Sequence, residues 1–448
     1  MVRSFVLRSM VAGLCLAAVG SVSADNRVSV SKKGSLLMWS KVELVFTPDG
    51  VLIQDTFIDM SNDYPDDVEV QFYFVNGDAP LAPVFVGNPP NQVLVERGHP
   101  GWNWADCQIR LTANQPTYMS MASGLPAGCQ PFTVLDPAAP PAGPGRPNPD
   151  FQVACPAGFP IGTICSLNRV LRGFVYAWAV DNNGNPIRWN HLTGDAMIIN
   201  YARGTSAEYS AYAAAACPEV NGVALCGHDA LVPDAISANG REGTLALDGV
   251  HYDWGYDKVL MDYYATNSGA LSKPAPAPIQ VTIDTDVTLH PISADLRQDN
   301  DGPVTTKAKY DVWNQNEIRL SGMTKCITCW DQTFASRYTN PNYFLRLFLQ
   351  TDKGKARIDG VRSDDVCDVP ARNIFSVNAS ILGIQIKNLA FVGIAGGFAT
   401  SALNMVGQGE ESATIKWDII APPDEAQQGT AGAGVGTAGT VKNGRTSR

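Results

Sequence analysis

The chain has 448 residues, an ordinary apolar content of 45%, and 33 basic against 43 acidic residues, for a formal net charge of −10. A mildly acidic surface with no clustered Lys and Arg argues against nucleic acid or anionic lipid as a partner. The length suits about two or three domains, and 41 Gly with 30 Pro suit many short strands joined by turns.

Residues 1–24 read as a cleaved signal peptide. Arg3 and Arg8 form a basic start, residues 11–19 an apolar run, and Ser21-Val22-Ser23-Ala24 a small-residue cleavage site before Asp25. The apolar run is short of the ~20 residues a spanning helix needs, and Leu14 stands before Cys15 where a lipid-attachment site wants a small residue. The expectation is a secreted protein, extracellular or periplasmic, with no membrane insertion. Removing the leader takes two arginines and no acid, so the mature chain is more acidic still.

From Lys33 onward the apolar period is two, not 3.6. Val42, Leu44 and Phe46 alternate, 61–67 is a dense turn signal, and Val68, Val70, Phe72 and Phe74 share one face of the next strand. Residues 122–165 form a Pro-, Gly- and Ala-rich excursion. Residues 170–180 are almost continuously apolar, as a strand buried on both faces would be. Strands over 196–201, 208–215 and 250–264 complete a first domain, 25–272. Lys273-Pro274-Ala275-Pro276-Ala277-Pro278 reads as a stiff, extended linker over 273–280. A second domain, 281–421, takes strands at 281–289, 308–313, 317–321, 332–337, 343–350, 381–392 and 413–419. Residues 422–448, rich in Gly, Ala and Thr, read as a disordered tail.

Two stretches, 39–76 and 313–351, each open on Trp and pass through a turn to a Thr-Phe pair and an Asn- and Pro-containing break, so they read as one β-unit written twice. The predicted fold is therefore all-β: tandem antiparallel β-sandwiches of immunoglobulin-like form with long loops.

Several phrases carry a resemblance: KKGSLLMW (32–39), QDTFIDMSND (54–63), HPGWNW (99–104), LRGFVYAWAV (171–180), IRWNHLTGDA (187–196) and CITCWDQT (326–333). Together they resemble a family of secreted bacterial β-sandwich proteins known from environmental genomes. The resemblance spans most of residues 32–420 and implies a bacterial, exported, sandwich-like protein. It implies no particular activity.

An odd number of cysteines remains after the leader, in an oxidising compartment where disulfides are the default. Cys107 with Cys129, Cys155 with Cys165 and Cys217 with Cys226 are near pairs closing loops. That leaves Cys326, Cys329 and Cys367, so one thiol is reduced, buried or intermolecular. Cys326-Ile327-Thr328-Cys329 has redox or half-zinc spacing, but no second pair of ligands accompanies it, and Trp330 stands where covalent haem needs His. A disulfide-clipped turn, with Cys367 as a further partner, is the reading adopted.

The five histidines (His99, His191, His228, His251, His290) show no metal-ligand spacing. Acid clusters at Asp63, Asp66 and Asp67, at Asp284 and Asp286, and at Asp295, Asp299 and Asp301 invite Ca²⁺, but the last lacks the spacing and the closing Glu of a calcium loop. Solvated turn carboxylates are the reading adopted, with no cofactor. Trp102, Trp104 and Trp254 alternate with polar residues, as ligand-stacking platforms do. Gly434-x-Gly436-x-x-Gly439 matches a dinucleotide fingerprint only by chance, since no strand or helix flanks it.

No nucleophile, base and orienting group can be nominated together. The sequence thus points to a non-enzymatic exported protein, structural or adhesive, at the cell surface or in the extracellular space, partnered by itself or by a surface glycan. The alternatives are a carbohydrate-binding protein using its aromatic faces and, behind it, a secreted hydrolase.

Overall fold

The computed structural model describes residues 28–30, 33–79, 84–86, 93–96, 99–101, 103–129, 168–216, 255–256, 258–292, 304–338, 341–361, 375–376, 380–394 and 396–407, with a few isolated residues and short pairs between them. The residues read as signal peptide and as tail, the strand expected at 413–419 and the acids of 295–301 lie outside these.

The described chain is an all-β antiparallel sandwich fold built from four sheet layers. The first layer holds β2 (Leu52–Asn62), β5 (Pro116–Ser120), β7 (Leu192–Asn200) and β8 (Thr205–Ser210). In the second are β1 (Leu36–Phe46), β3 (Val68–Asn76), β4 (Trp104–Leu111), β6 (Arg169–Val180) and β9 (Tyr212–Ala214). These belong to one ten-stranded sheet that folds on itself, because β1 and β2 pair only at the tip of their hairpin, Val45 with Gln54 and Phe46 with Leu52. Past the tip the two strands separate, and Trp39 fills the gap. Its Nε1 donates to the Asp195 carbonyl at 3.0 Å. Gly194, beside Asp195 on β7, has no room for a Cβ, which would lie 2.5 Å from the Trp39 ring.

The third layer runs in the order β14 (Asp331–Phe334), β11 (Gln280–Ile292), β16 (Ser380–Val392), β17 (Phe398–Asn404). The fourth runs β13 (Arg319–Thr328), β12 (Val304–Asn314), β15 (Lys353–Val361), β10 (Lys258–Tyr264), β18 (Val406–Gly407). Period two on β11 and β16 decides what each face meets. Val287, Leu289 and Ile381 join Met261, Tyr310, Val312 and Ile358 in one core against the fourth layer. Leu382, Ile384 and Ile386 belong to the other core, with the first two layers. Two sandwiches thus stack face to face, and β6 is covered on both sides, as its apolar run predicts: Val170 and Arg172 aside, its residues are buried.

Three expectations are corrected. The Pro-rich stretch is no extended linker: Lys273 and Ile279 bond to each other through both backbone groups, closing a turn from β10 into β11. The boundary at 273–280 moves with it, since β10 pairs with β15 from Lys258↔Asp359 to Tyr264↔Lys353 and so belongs to the second sandwich. Alternating prolines look like a rod in sequence, but the surrounding hairpin bends them.

The duplicated unit is not there either. Trp39 lies mid-strand in β1, whereas Trp313 ends β12 at a turn in which the Asn314 side chain accepts from the backbone N–H groups of Asn316 and Ile318. Residues 343–350, matched to the strand β3, instead hold a single helical turn, Arg346–Leu349. The shared phrases are turn chemistry, which recurs wherever strands are joined.

Candidate functional site: the polar seam between the sandwiches

Charged residues on β1, β6 and β11 and a glutamine on β14 meet where the second layer faces the third. A bulge in β1 between Trp39 and Val42 turns Ser40 and Lys41 together toward the third layer. Lys41 Nζ lies 2.9 Å from Asp286 Oδ2 and 3.1 Å from Glu43 Oε2, with side-chain exposures of 2%, 7% and 15%. Gln332 Nε2 donates to the same two oxygens, at 2.5 Å to Asp286 and 2.8 Å to Glu43. Gln54 Nε2 donates to Glu43 Oε1 at 2.7 Å, and Asn200 to Gln54 at 2.9 Å. On the other side Arg172 clasps both Asp78 oxygens through Nε and donates through Nη1 to Gln332 Oε1 at 2.9 Å. A continuous network therefore runs from Asn200 in the first layer to Asp286 in the third.

Two carboxylates share one ammonium, and burial raises both. For Glu43 the Lys41 charge and the Gln332 bond overcome that, holding it below the usual range. Asp286 stays raised, by burial and by the Glu43 charge. Burial depresses the Lys41 ammonium, but the Asp286 and Glu43 charges outweigh it, and its pKa ends above the ordinary value.

Beside this network lies a buried aromatic cluster. His290, fully buried, packs 4.1 Å from the Phe174 ring, with Nε2 2.7 Å from Tyr176 Oη and Nδ1 3.3 Å from Ser40 Oγ. Trp330 completes it: Nε1 donates to the Ser40 carbonyl at 2.7 Å, and Arg172 stands 5.7 Å from the ring centroid. The indole rests on Gly77, where a Cβ would lie 2.6 Å from Cε3. Gly173 behind it is equally closed, its Cβ position falling on the Val75 carbonyl oxygen. Gly173→Ala is expected to lose about 1–3 kcal/mol or more, because backbone must move. A wild-type melting temperature for that variant would contradict the packing.

The Cys-x-x-Cys motif turns out to position this tryptophan. Cys326, on β13, is disulfide-bonded to a cysteine outside the described residues, while Cys329 keeps its thiol, so the motif is not a bridge between its own two cysteines. Cys329 takes a left-handed φ of 56° at the corner between β13 and β14 and is buried, its Sγ 3.9 Å from His99 Nδ1. The corner swings Trp330 out of the fourth layer and onto the second. A thiol reagent is expected to label Cys329 only after unfolding. Rapid labelling of the native protein at that residue, read by peptide mass, would contradict this burial.

Cys107 joins Cys129, Cα to Cα 6.0 Å, while Cys155, Cys165, Cys217, Cys226 and Cys367 lie outside the described residues. So do Trp102, Trp254, His228 and His251. Trp104 is 43% exposed and stacks on Tyr73 at 4.7 Å and 9°. The three tryptophans thus cannot be joined into one platform from the described residues. Tyr252, two residues before Trp254, is buried. Of the calcium acids, Asp286 faces Lys41, Asp284 accepts from Ser336, Asp63 pairs with Lys33 and Asp67 with Arg110. Among the described residues no group of three or more His, Cys, Asp or Glu is placed to hold a metal ion.

A surface cleft of about 470 Å³ in the fourth layer, at Trp313, was not signalled by sequence; Asp262, Gln315, Glu317, Lys353 and Lys355 share it. The Trp313 ring already has Arg319 and Arg357 at 5.9 and 5.8 Å from its centroid.

No family model matches the chain, and no curated protein matches it. Among solved structures, the crystal structure of the CupB6 tip adhesin from Pseudomonas aeruginosa aligns over 86% of this chain and 95% of that one, with 10% identity and a TM-score of 0.09.

Proposed function

We propose that this is an exported, non-enzymatic β-sandwich protein with a structural or adhesive role at the cell surface or in the extracellular space. The observation that carries the reading is the seam. Two sandwiches joined by a flexible tether would move independently, whereas these share an interface with a buried ionic network and the Trp330 plug. Such a seam suits a rigid body that presents its surface at a fixed geometry. The presented surface includes apolar side chains at the glycine-rich tip of the β16–β17 hairpin: Val392, Ile394 and Phe398 are 54%, 49% and 41% exposed. Exposed apolar side chains grouped in this way favour contact with another surface.

The test is to fractionate the source cells and to measure binding of the purified mature protein to whole cells and to immobilised copies of itself. Export with saturable binding, weakened by Ile394→Asp and Phe398→Asp together, is the expected result. Retention in the cytoplasm, or binding indifferent to that double change, would remove the reading. A carbohydrate partner is favoured by one observation, the half-exposed Trp104 braced by Tyr73. In that case Trp104→Ala abolishes glycan-array signals, and the hairpin variant leaves them intact.

A further inference from the structure

We propose that the Lys41 amine and the Asp286 carboxyl condense into an intramolecular amide, so that the mature protein carries a covalent bond between its two sandwiches. The inference does not depend on what the protein binds.

The geometry supplies each part the reaction needs. The nucleophile lies 2.9 Å from a carboxyl oxygen whose carbon is one bond further on, close to a near-attack distance. Both side chains are fixed on neighbouring faces of packed sheets, Lys41 by its bulge in β1 and Asp286 mid-strand in β11. Reactants held this way gain effective molarities of about 10⁵–10⁸ M, enough to drive condensation that is unfavourable between separate molecules in water. Gln332 Nε2 donates to Asp286 Oδ2 at 2.5 Å, the oxygen that takes the proton and departs as water, and Thr288 Oγ1 donates at 3.5 Å to Oδ1, where the oxyanion forms. Glu43 Oε2, 3.1 Å from Nζ, is the base. The environments separate the two acids as the roles demand: Glu43 is held as carboxylate, and Asp286 is pushed toward its protonated form.

The steps balance without a co-reactant. Proton transfer across the Lys41–Asp286 hydrogen bond gives an amine and a carboxylic acid. Nζ attacks Cγ, the new C–N bond forms, and Glu43 takes a proton from nitrogen. Glu43 returns that proton to the departing hydroxyl, the C–O bond breaks, and one water leaves. An ammonium and a carboxylate, each costly to bury, are replaced by a neutral amide. Glu43 remains solvated by Gln54 and Gln332.

The experiment is mass spectrometry of the purified, reduced and denatured mature protein. Amide formation lowers the intact mass by one water (about 18 Da), and digestion yields a branched peptide joining the Lys41 and Asp286 segments, assigned by fragmentation. Glu43→Gln is expected to restore the unlinked mass while circular dichroism stays that of a β protein. Should Glu43→Gln fail to fold, the wild-type digest still decides. Recovery of the Lys41 and Asp286 peptides as separate, unmodified species from folded wild-type protein overturns the proposal. So does a branched peptide that persists at full yield in Asp286→Ala.

Discussion

Trp330→Ala is expected to destabilise the protein by about 3–5 kcal/mol, the cost typical of deleting a large aromatic from a packed core. The indole is 2% exposed and spans the two sandwiches, standing on Gly77 and reaching the Ser40 carbonyl. Burial of ~150–250 Å² at ~25 cal/mol per Å² comes to roughly 4–6 kcal/mol, against about 1 kcal/mol for the hydrogen bond. Packing therefore dominates, and Trp330→Phe should keep more than half of the lost stability while leaving the Ser40 carbonyl unpaired. The glycines beneath the ring make the prediction sharper, because Gly77 and Gly173 have no side chains that could swing in to fill the void. Urea unfolding of the two variants measures both terms. A Trp330→Ala midpoint indistinguishable from wild type would mean that the indole is not the joint between the sandwiches.

This tryptophan also shows how far the sequence could be read. Period-two strands, turn clusters and the doubly buried run ending at Val180 are local signals, and each has its counterpart in the sheets. What joins the sandwiches is not local. Lys41 and Glu43 alternate with Val42 and Leu44 as solvent-facing residues of a half-exposed strand do, and nothing nearby announces that Asp286, 245 residues on, covers them. Asp284 and Asp286 look like one acid pair in a possible calcium site, yet on the same face of β11 they meet different partners, Ser336 and Lys41. The Cys-x-x-Cys drew attention for its sulfurs, while its structural consequence is the residue that follows them. Only the strand composition held a hint. Lys41 and Glu43 inside LLMWSKVELVF are charges in a strand that is apolar but for them and Ser40, and buried charge needs a partner from somewhere.

The ionic seam sets register more than it adds stability. A buried pair roughly offsets its own desolvation, and well-packed apolar replacements are often as stable. Removing one partner is different. Lys41→Met strands two carboxylates, at a cost of about 3–5 kcal/mol. Replacing Lys41, Glu43 and Asp286 together by apolar residues of matched volume should recover much of that loss relative to Lys41→Met, since neither variant can form the amide. The seam's contribution is then specificity: sliding β11 by one residue along β16 would aim Val287 at Lys41 and Asp286 into the apolar core of the second sandwich.

Acid is expected to loosen the protein below about pH 6.5, through His290. Burial lowers its pKa from 6.5 to about 3, because imidazolium would sit beside Phe174 away from water. Tyr176, whose own pKa burial drives far upward, stays a phenol, and the neutral tautomer that satisfies every partner has Tyr176 donating to Nε2 and Nδ1–H directed at Ser40 Oγ. A second proton on the ring would force Tyr176 Oη to accept and leave its hydroxyl hydrogen without a partner. In the unfolded chain the imidazole protonates near pH 6.5, whereas in the folded protein it does not until about pH 3. The unfolded state therefore binds the extra proton throughout that window, and stability falls as pH drops. At 1.36 kcal/mol per pH unit the loss is about 2–3 kcal/mol by pH 4.5 and about 4–5 kcal/mol by pH 3. Lowering pH from 7 to 4.5 should shift the urea midpoint of wild type accordingly, while His290→Gln, able to accept from Tyr176 without titrating, should show a much flatter profile. Equal acid sensitivity in the two proteins would move the effect to the carboxylates of the seam.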